Sequence, residues 1–136
     1  MGDSTNGEPR RRDFGNLLQL PDNDPKILQS QVARFRKLLE SDPNDQPSWA
    51  GLGRSLMKMG KLAEALEPLR RAIELDPGDT AAHRDLGRSL LDSDCPMEAA
   101  EIFARAIGLA EAAGDIRTGH EIHAFLRQAE KRLDQR

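Results

Sequence analysis

Apolar residues recur every three or four positions in six segments of the chain, which is the spacing of one face of an α-helix. Gly60 and Lys61 interrupt this pattern once, and a Ser-Asp-Cys-Pro stretch at 93–96 interrupts it again. Pro68 stands inside one segment, but the apolar stripe continues beyond it, so we predict a kink there rather than a helix end. The predicted helices are 26–41, 47–59, 62–75, 80–92, 96–112 and 115–134.

The pattern repeats without a gap when the sequence is shifted by 34 residues. Gly53 and Gly87 occupy the same position of the two copies, inside predicted helices where glycine costs about 1 kcal/mol relative to alanine. A glycine at the same phase of both copies predicts that a second helix packs close to the backbone there. Other matched pairs are Leu52 with Leu86, Arg54 with Arg88, Ser55 with Ser89, Leu56 with Leu90, Ala65 with Ala99, and 71–73 with 105–107.

A unit of two helices with these residues resembles the tetratricopeptide repeat, which has a period of 34 residues. The positions that define this repeat hold Trp49, Leu52, Gly53, Leu56, Ala65, Leu69, Ala72 and Pro77 in the first copy, and His83, Leu86, Gly87, Leu90, Ala99, Phe103 and Ala106 in the second. One such helix pair cannot bury its own apolar stripe, so neighbouring pairs must stack on it. The resemblance implies an α-solenoid whose first helices line a concave, ligand-binding face.

We therefore predict an all-α fold, an α-solenoid of two full 34-residue helix-turn-helix repeats flanked by capping helices, with about six helices in total. Residues 1–23 are expected to form a flexible N-terminal arm, and residues 24–136 the tetratricopeptide-repeat domain. Two residues inserted before the last helix would place Ile122 in the phase of Leu86 and bury its apolar stripe. The domain divides into a half repeat at 24–45, the first repeat at 46–79, the second repeat at 80–113 and a C-terminal capping helix at 114–136.

The composition narrows the possible partners and compartments. A formal net charge of -3 over 136 residues gives no bulk attraction to nucleic acid or to anionic membranes, so neither is expected as a partner. A single cysteine excludes an internal disulfide, which favours a reducing compartment. No apolar run is long enough for a signal peptide or a membrane span, so we expect a cytoplasmic protein.

Two features of the N-terminal arm can each be interpreted in two ways. Three consecutive arginines, Arg10 to Arg12, either solubilise the tail or contact nucleic acid or an acidic partner. The apolar residues Phe14, Leu17, Leu18 and Leu20 either fold back on the edge of the domain or leave it uncovered.

The histidines and the cysteine form no catalytic or metal-binding constellation in the sequence. His83 holds the tryptophan position of its repeat, so packing explains it. His120 and His123 are three residues apart, but a metal site requires further ligands at matched spacing. Cys95 stands at a predicted turn near two aspartates, which disfavour a reactive thiolate, so we interpret it as structural. We predict no enzyme activity, no cofactor and no metal.

The predicted concave face carries more cations than anions, although the whole chain is acidic. Arg54 with Lys58, and Arg84 with Arg88, are like charges four residues apart on helices, and each pair costs about 0.2–0.5 kcal/mol. Such pairs favour a ligand groove, although Asp85 and Asp92 could relieve the repulsion on a merely solvated face. The ligand-contacting positions of tetratricopeptide proteins, carried onto this sequence, give the candidate peptide-binding residues Arg54, Met57, Lys58, Arg84, Arg88, Leu91, Arg117, His120 and Arg127.

These observations predict a non-catalytic adaptor that binds an acidic or carboxylate-bearing peptide of another protein in a basic concave groove. The clamp by which some tetratricopeptide proteins hold chaperone tails is not expected, because Arg54 and Arg88 stand where that clamp uses an asparagine. The alternative is a structural assembly component that associates with itself through the solenoid ends or the N-terminal arm. The sequence leaves the oligomeric state open.

Overall fold

The computed structural model describes residues 23–135, which form six α-helices separated by short turns. No strand occurs in this range, so the predicted all-α fold is confirmed. Each predicted helix boundary agrees with the structure to within one residue. The helices are α1 Pro25–Ser41, α2 Gln46–Lys58, α3 Leu62–Leu75, α4 Thr80–Asp92, α5 Pro96–Ala113 and α6 Ile116–Asp134.

Aspartate side chains cap the first turn of three helices with hydrogen bonds. Asp24 accepts a hydrogen bond from the backbone N–H two residues ahead at 2.9 Å, and Pro25 opens α1 at a position whose N–H has no partner inside the helix. Asp79 at α4 and Asp115 at α6 accept from the backbone N–H three residues ahead, at 3.0 and 3.1 Å. These caps fix where the helices begin because they satisfy amides that the helix itself leaves unpaired.

The turns inside the two repeats share a left-handed residue at the same repeat position. Gly60 has a φ of +80°, and Asp94, its equivalent in the second repeat, has a φ of +63°. Glycine adopts this conformation at no steric cost, and aspartate tolerates it better than most residues. Between these turns, α3 runs without a break through Pro68, so the prediction that this proline does not end the helix is confirmed.

The helices stack as a solenoid, in which each helix packs against the next one in the chain. The first helices of successive units, α2, α4 and α6, also contact one another and form one layer. Helices α1, α3 and α5 form the other layer, and the core lies between the two. Its fully or almost fully buried side chains include Leu52, Leu69, Leu86, Phe103 and Ile122.

Two glycines allow the helices of each repeat to approach closely. A Cβ atom at Gly53 would lie 2.5 Å from Cγ of Leu69, and one at Gly87 would lie 2.3 Å from Cε1 of Phe103. Both distances are far below van der Waals contact, and Leu69 and Phe103 are fully buried. The prediction of close packing at the two glycines is therefore confirmed.

Two further packing predictions are confirmed. His83, in the tryptophan position of its repeat, is 1% exposed, and its Nδ1 lies 2.9 Å from the backbone oxygen of Asp79. Ile122 is fully buried, as the two-residue insertion predicts, and Phe125 stacks on Phe103 with ring centroids 5.7 Å apart. Helix α6 thus packs Ile122 and Ala129 into the core, whereas Ile116 at its start is 72% exposed.

The predicted N-terminal arm lies outside the described residues except for Asn23, and so do Arg10 to Arg12 and the apolar residues at 14–20. Among the helices of residues 23–135, none combines the length and the hydropathy that crossing a membrane requires.

Candidate functional site

A depression of about 400 Å³, hereafter the groove, opens on the side of the molecule formed by α2, α4 and α6. It brings together five of the nine predicted site residues, namely Arg54, Met57, Lys58, Arg84 and Arg88. The remaining lining residues are Asn23, Asp85, Asp92, Glu121 and Phe125. Four cations and three carboxylates therefore share the groove, so its excess of positive charge is small.

Arg84 is held by two carboxylates in the groove. Its Nε lies 3.3 Å from Oδ1 of Asp85, and its Nη1 lies 3.2 Å from Oε1 of Glu121 on α6. The Arg84 side chain is 15% exposed, so these ion pairs are partly shielded from water. Arg84 thus joins α4 to α6, and the two carboxylates engage two of the five N–H donors of its guanidinium.

Burial raises the pKa of Asp85, because the surrounding protein removes water from its carboxylate. The guanidinium groups of Arg84, Arg54 and Arg88 oppose this effect by favouring the charged form. Burial is the larger of the two effects, since the pKa is raised despite three nearby arginines. A peptide carboxylate that enters the groove would therefore share these three arginines with Asp85.

Arg54 and Arg88, unlike Arg84, form no ion pair with a described residue. Arg54 is exposed and makes no hydrogen bond or ion pair within residues 23–135. The guanidinium carbon of Arg88 lies 5.0 Å from the ring centroid of Phe125, and no described residue forms an ion pair with Arg88. Stacking on a ring face leaves the N–H groups at the guanidinium edge available to a ligand. The two arginines, one repeat apart, reach the same depression from α2 and α4.

Leu91 does not lie on the groove surface, which corrects its assignment as a peptide contact. Its side chain is 2% exposed and belongs to the core. Helix α6 packs against α4 here, and Arg132 of α6 donates a hydrogen bond from Nη1 to the carbonyl oxygen of Leu91. Met57, in the same position of the first repeat, is half-buried and lines the groove.

The three predicted site residues on α6, Arg117, His120 and Arg127, are exposed, but none of them lines the groove. His120 instead lines a separate depression of about 340 Å³ between α5 and α6. Glu121 and Phe125 are the residues of α6 that face the groove, and the two-residue insertion places Glu121 in the phase of Asp85, which also lines it.

Sequence reasoning missed Asn23 and Phe125 as groove residues. Phe125 follows Glu121 by four residues, a spacing that places both side chains on one helix face, so a signal was present. Asn23 reaches the groove because α1 has three more residues at its start than α3. Helix α3 begins at Leu62, which corresponds to position 28 in α1, whereas α1 begins at Pro25. The additional turn of helix carries the end of the described chain to this side of the molecule.

Metal-ligating side chains are scattered in the part of the chain that the structure describes. No three His, Cys, Asp or Glu side chains among residues 23–135 are grouped so that they could hold a metal ion. Cys95 is exposed at the turn before α5, with its Sγ 3.8 Å from the backbone oxygen of Ser93. The groups that the groove presents to a ligand are guanidinium groups, carboxylates and the aromatic ring of Phe125.

Several solved structures share this fold. A T3SS complex from Aeromonas hydrophila superposes with a TM-score of 0.79 at 17% identity, over 93% of this chain and 87% of that one. The type III secretion translocator chaperone SycD of Yersinia enterocolitica gives 0.75 at 17% identity, over 93% and 90%. The TPR2B domain of yeast Sti1, in a complex with pHsp70, gives 0.72 at 18% identity, over 87% and 94%.

The sequence itself also matches a family model. No match is found among curated proteins. The model of the tetratricopeptide repeat matches residues 32–79 and 50–116, which together make up more than half of the sequence. The chain therefore belongs to the tetratricopeptide repeat family.

Proposed function

We propose that this protein is a non-catalytic adaptor that binds an acidic or carboxylate-bearing peptide of another protein in the groove. The main support is the pair of Arg54 and Arg88, which line one depression and form no ion pair within residues 23–135. A guanidinium group can form two parallel hydrogen bonds to a carboxylate, and such charge-assisted bonds are the stronger kind.

Apolar surface beside the two arginines suits an extended peptide. Met57 and Phe125 are half-buried and line the groove, so each keeps part of its side chain accessible. A peptide that carries an apolar side chain between carboxylates would contact both residues and both arginines. Solenoid repeats commonly use their concave surface for ligands of this extended kind.

The carboxylates of the groove make recognition depend on geometry more than on net charge. Asp85 and Glu121 engage Arg84, which leaves Arg54 and Arg88 as the donors best placed for a ligand. Because four cations face three carboxylates, an acidic peptide gains little from bulk attraction. We therefore expect the position of the peptide carboxylates to matter more than their number.

The structural relatives are consistent with a protein-binding role. One of them is a TPR2B domain in a complex with pHsp70, and another is named a translocator chaperone. Their identities of 18% and 17% support the shared fold.

The test replaces Arg54 and Arg88 together by glutamine and measures binding by titration calorimetry. The probes are ten-residue peptides of glutamate and leucine with a free carboxyl terminus, each compared with the same peptide in which glutamine replaces glutamate. Wild-type protein should bind the acidic peptides, and the double variant should lose up to a few kcal/mol, since charge-assisted hydrogen bonds contribute about 1.5–3 kcal/mol each before screening. Higher salt should weaken wild-type binding in the same direction.

A double replacement of Arg36 and Arg105 by glutamine is the matched control, because both arginines are exposed and lie outside the groove. It removes the same charge and should leave the affinity for the acidic peptides unchanged. Thermal melts of both variants should stay near that of the wild type. Equal affinities of the wild type and the Arg54/Arg88 variant would refute the basic groove.

A further inference from the structure

The first helix of the solenoid exposes a face that its counterparts bury. Ala72 of α3 and Ala106 of α5 are fully buried, whereas Leu38, in the same repeat position on α1, is 45% exposed. Phe103 is likewise fully buried, and its counterpart Phe35 is only half-buried. The cause is that α2 covers α3 and α4 covers α5, while no helix within residues 23–135 precedes α1.

Next to this face, α1 and α2 form a depression of about 230 Å³, hereafter the trough. Its floor is aromatic, because the Phe35 ring lies so near Gly51 that a Cβ there would be 2.4 Å from Cζ. Its walls are positive: Arg54 and Lys58 line it, and Arg34 lies 5.4 Å from the Phe35 ring centroid. No carboxylate is among the described residues that line it, which are Gln31, Phe35, Gly51, Arg54, Ser55 and Lys58.

We propose that residues 13–22 of the same chain occupy the trough and cover the open face of α1, in the place that a first helix takes in the full repeats. These residues read Asp-Phe-Gly-Asn-Leu-Leu-Gln-Leu-Pro-Asp. The segment carries two carboxylates, no cation and four large apolar side chains. It therefore complements the basic walls of the trough, its aromatic floor and the exposed Leu38.

The segment starts in the right place and is long enough. Asn23, to which it is joined, lines the groove together with Arg54 and Lys58, and these two residues also line the trough. Ten extended residues span up to about 33–36 Å, whereas the 17 residues of α1 span about 26 Å. A short covalent link also gives an effective concentration in the millimolar range, so that weak contacts suffice.

A second copy of the chain fits this face less well. Helix α1 carries the cations Lys26, Arg34, Arg36 and Lys37 against the single anion Glu40. Two α1 helices brought face to face would therefore place like charges against each other, which opposes association. The proposal shares Arg54 and Lys58 with the groove but does not require the groove to bind a peptide.

The first test uses full-length variants. One replaces Leu17, Leu18 and Leu20 by serine, and its control replaces Asn16 and Gln19 by serine, which alters the same segment but keeps its apolar side chains. In the leucine variant, amide exchange along α1 should become about tenfold faster or more, and the melting temperature should fall by about 4 °C or more. The control should behave like the wild type. Unchanged exchange in α1 of the leucine variant would overturn the proposal.

A disulfide test shows whether residues 13–22 lie against α1 even if the leucine variant unfolds. In a Cys95→Ser background, Leu18→Cys is combined either with Leu38→Cys on α1 or with Met97→Cys on α5, where Met97 is 67% exposed. Mild oxidation should close the intramolecular disulfide with position 38 about tenfold faster or more than with position 97, in line with a higher effective concentration. Equal rates would overturn the proposal. So would a wild-type dimer that Leu38→Ser dissociates, since a second copy would then cover α1.

Discussion

Replacing Gly87 by alanine should destabilise this protein, although alanine is the better helix former. The substitution gains about 0.8–1.0 kcal/mol of helix propensity in α4. The new Cβ, however, would lie 2.3 Å from Cε1 and 2.7 Å from Cδ1 of Phe103, which is fully buried. Overpacking of a core costs about 1–3 kcal/mol, and so short a distance places this site in the upper part of that range. We expect a net loss of about 1–2 kcal/mol in the free energy of unfolding.

Gly108 in α5 provides the matched control, because a Cβ there meets nothing within 4 Å. Gly108→Ala should raise the free energy of unfolding by about 0.5–1 kcal/mol. Helix propensity contributes similarly to both variants, so their difference of about 1.5–3 kcal/mol measures the packing of Phe103. Gly51→Ala should fall between the two, because its Cβ would lie 2.4 Å from a Phe35 ring that is only half-buried.

Urea denaturation followed by both circular dichroism and Trp49 fluorescence is the appropriate assay, because a repeat protein need not unfold in a single step. Coincident transitions allow the free energies of the variants to be compared directly. A Gly87→Ala protein as stable as the wild type, beside a stabilised Gly108→Ala, would refute the reasoning. Phe103 would then be able to move, and the glycine would not be required for close approach.

Two carboxylates give opposite pH dependences. Because burial raises the pKa of Asp85, the native state holds this proton more tightly, and the free energy of unfolding should fall as pH rises from the ordinary aspartate pKa to the raised value. Asp85→Asn should remove that fall from a pH series of urea denaturations, and an unchanged series would contradict the assignment. Hydrogen bonding from Thr118 lowers the pKa of Asp115, so the stability from this cap is present above the ordinary aspartate pKa and is lost as pH falls through the lowered value. The Thr118 amide should report this titration by NMR in the wild type and not in Asp115→Ala; a persistent titration would exclude Asp115 as its source.

The helices could be predicted because each repeat carries its own local information. The apolar period, the turn at Gly60 and the glycines at 53 and 87 are all visible within a few residues of the elements that they specify. The same local consistency placed Ile122 in the core once the extra residues before α6 were allowed for. Short-range physics is sufficient where each helix packs on its neighbour.

The groove was less predictable, because its residues contact different side chains of a helix that is distant in the sequence. Arg84 and Arg88 are the same residue type four positions apart, yet Glu121, on another helix, pairs with Arg84, while Phe125 stacks with Arg88. Leu91 and Met57 hold the same repeat position, but α6 covers only Leu91. Repeat phase assigns such pairs identical roles, and only the packing of the last helix separates them.

The nearest-neighbour stacking of the helices has a consequence for folding kinetics. Its main contacts join helices that are adjacent or next but one in the chain, so the average sequence separation of contacting residues is low. Proteins of low contact order fold rapidly, because little loop-closure entropy must be lost before contacts form. Stacked repeats also open from their ends. Within residues 23–135, α1 packs against α2 alone, so the cover that we propose for residues 13–22 should slow opening at that end and with it the access of proteases to the chain.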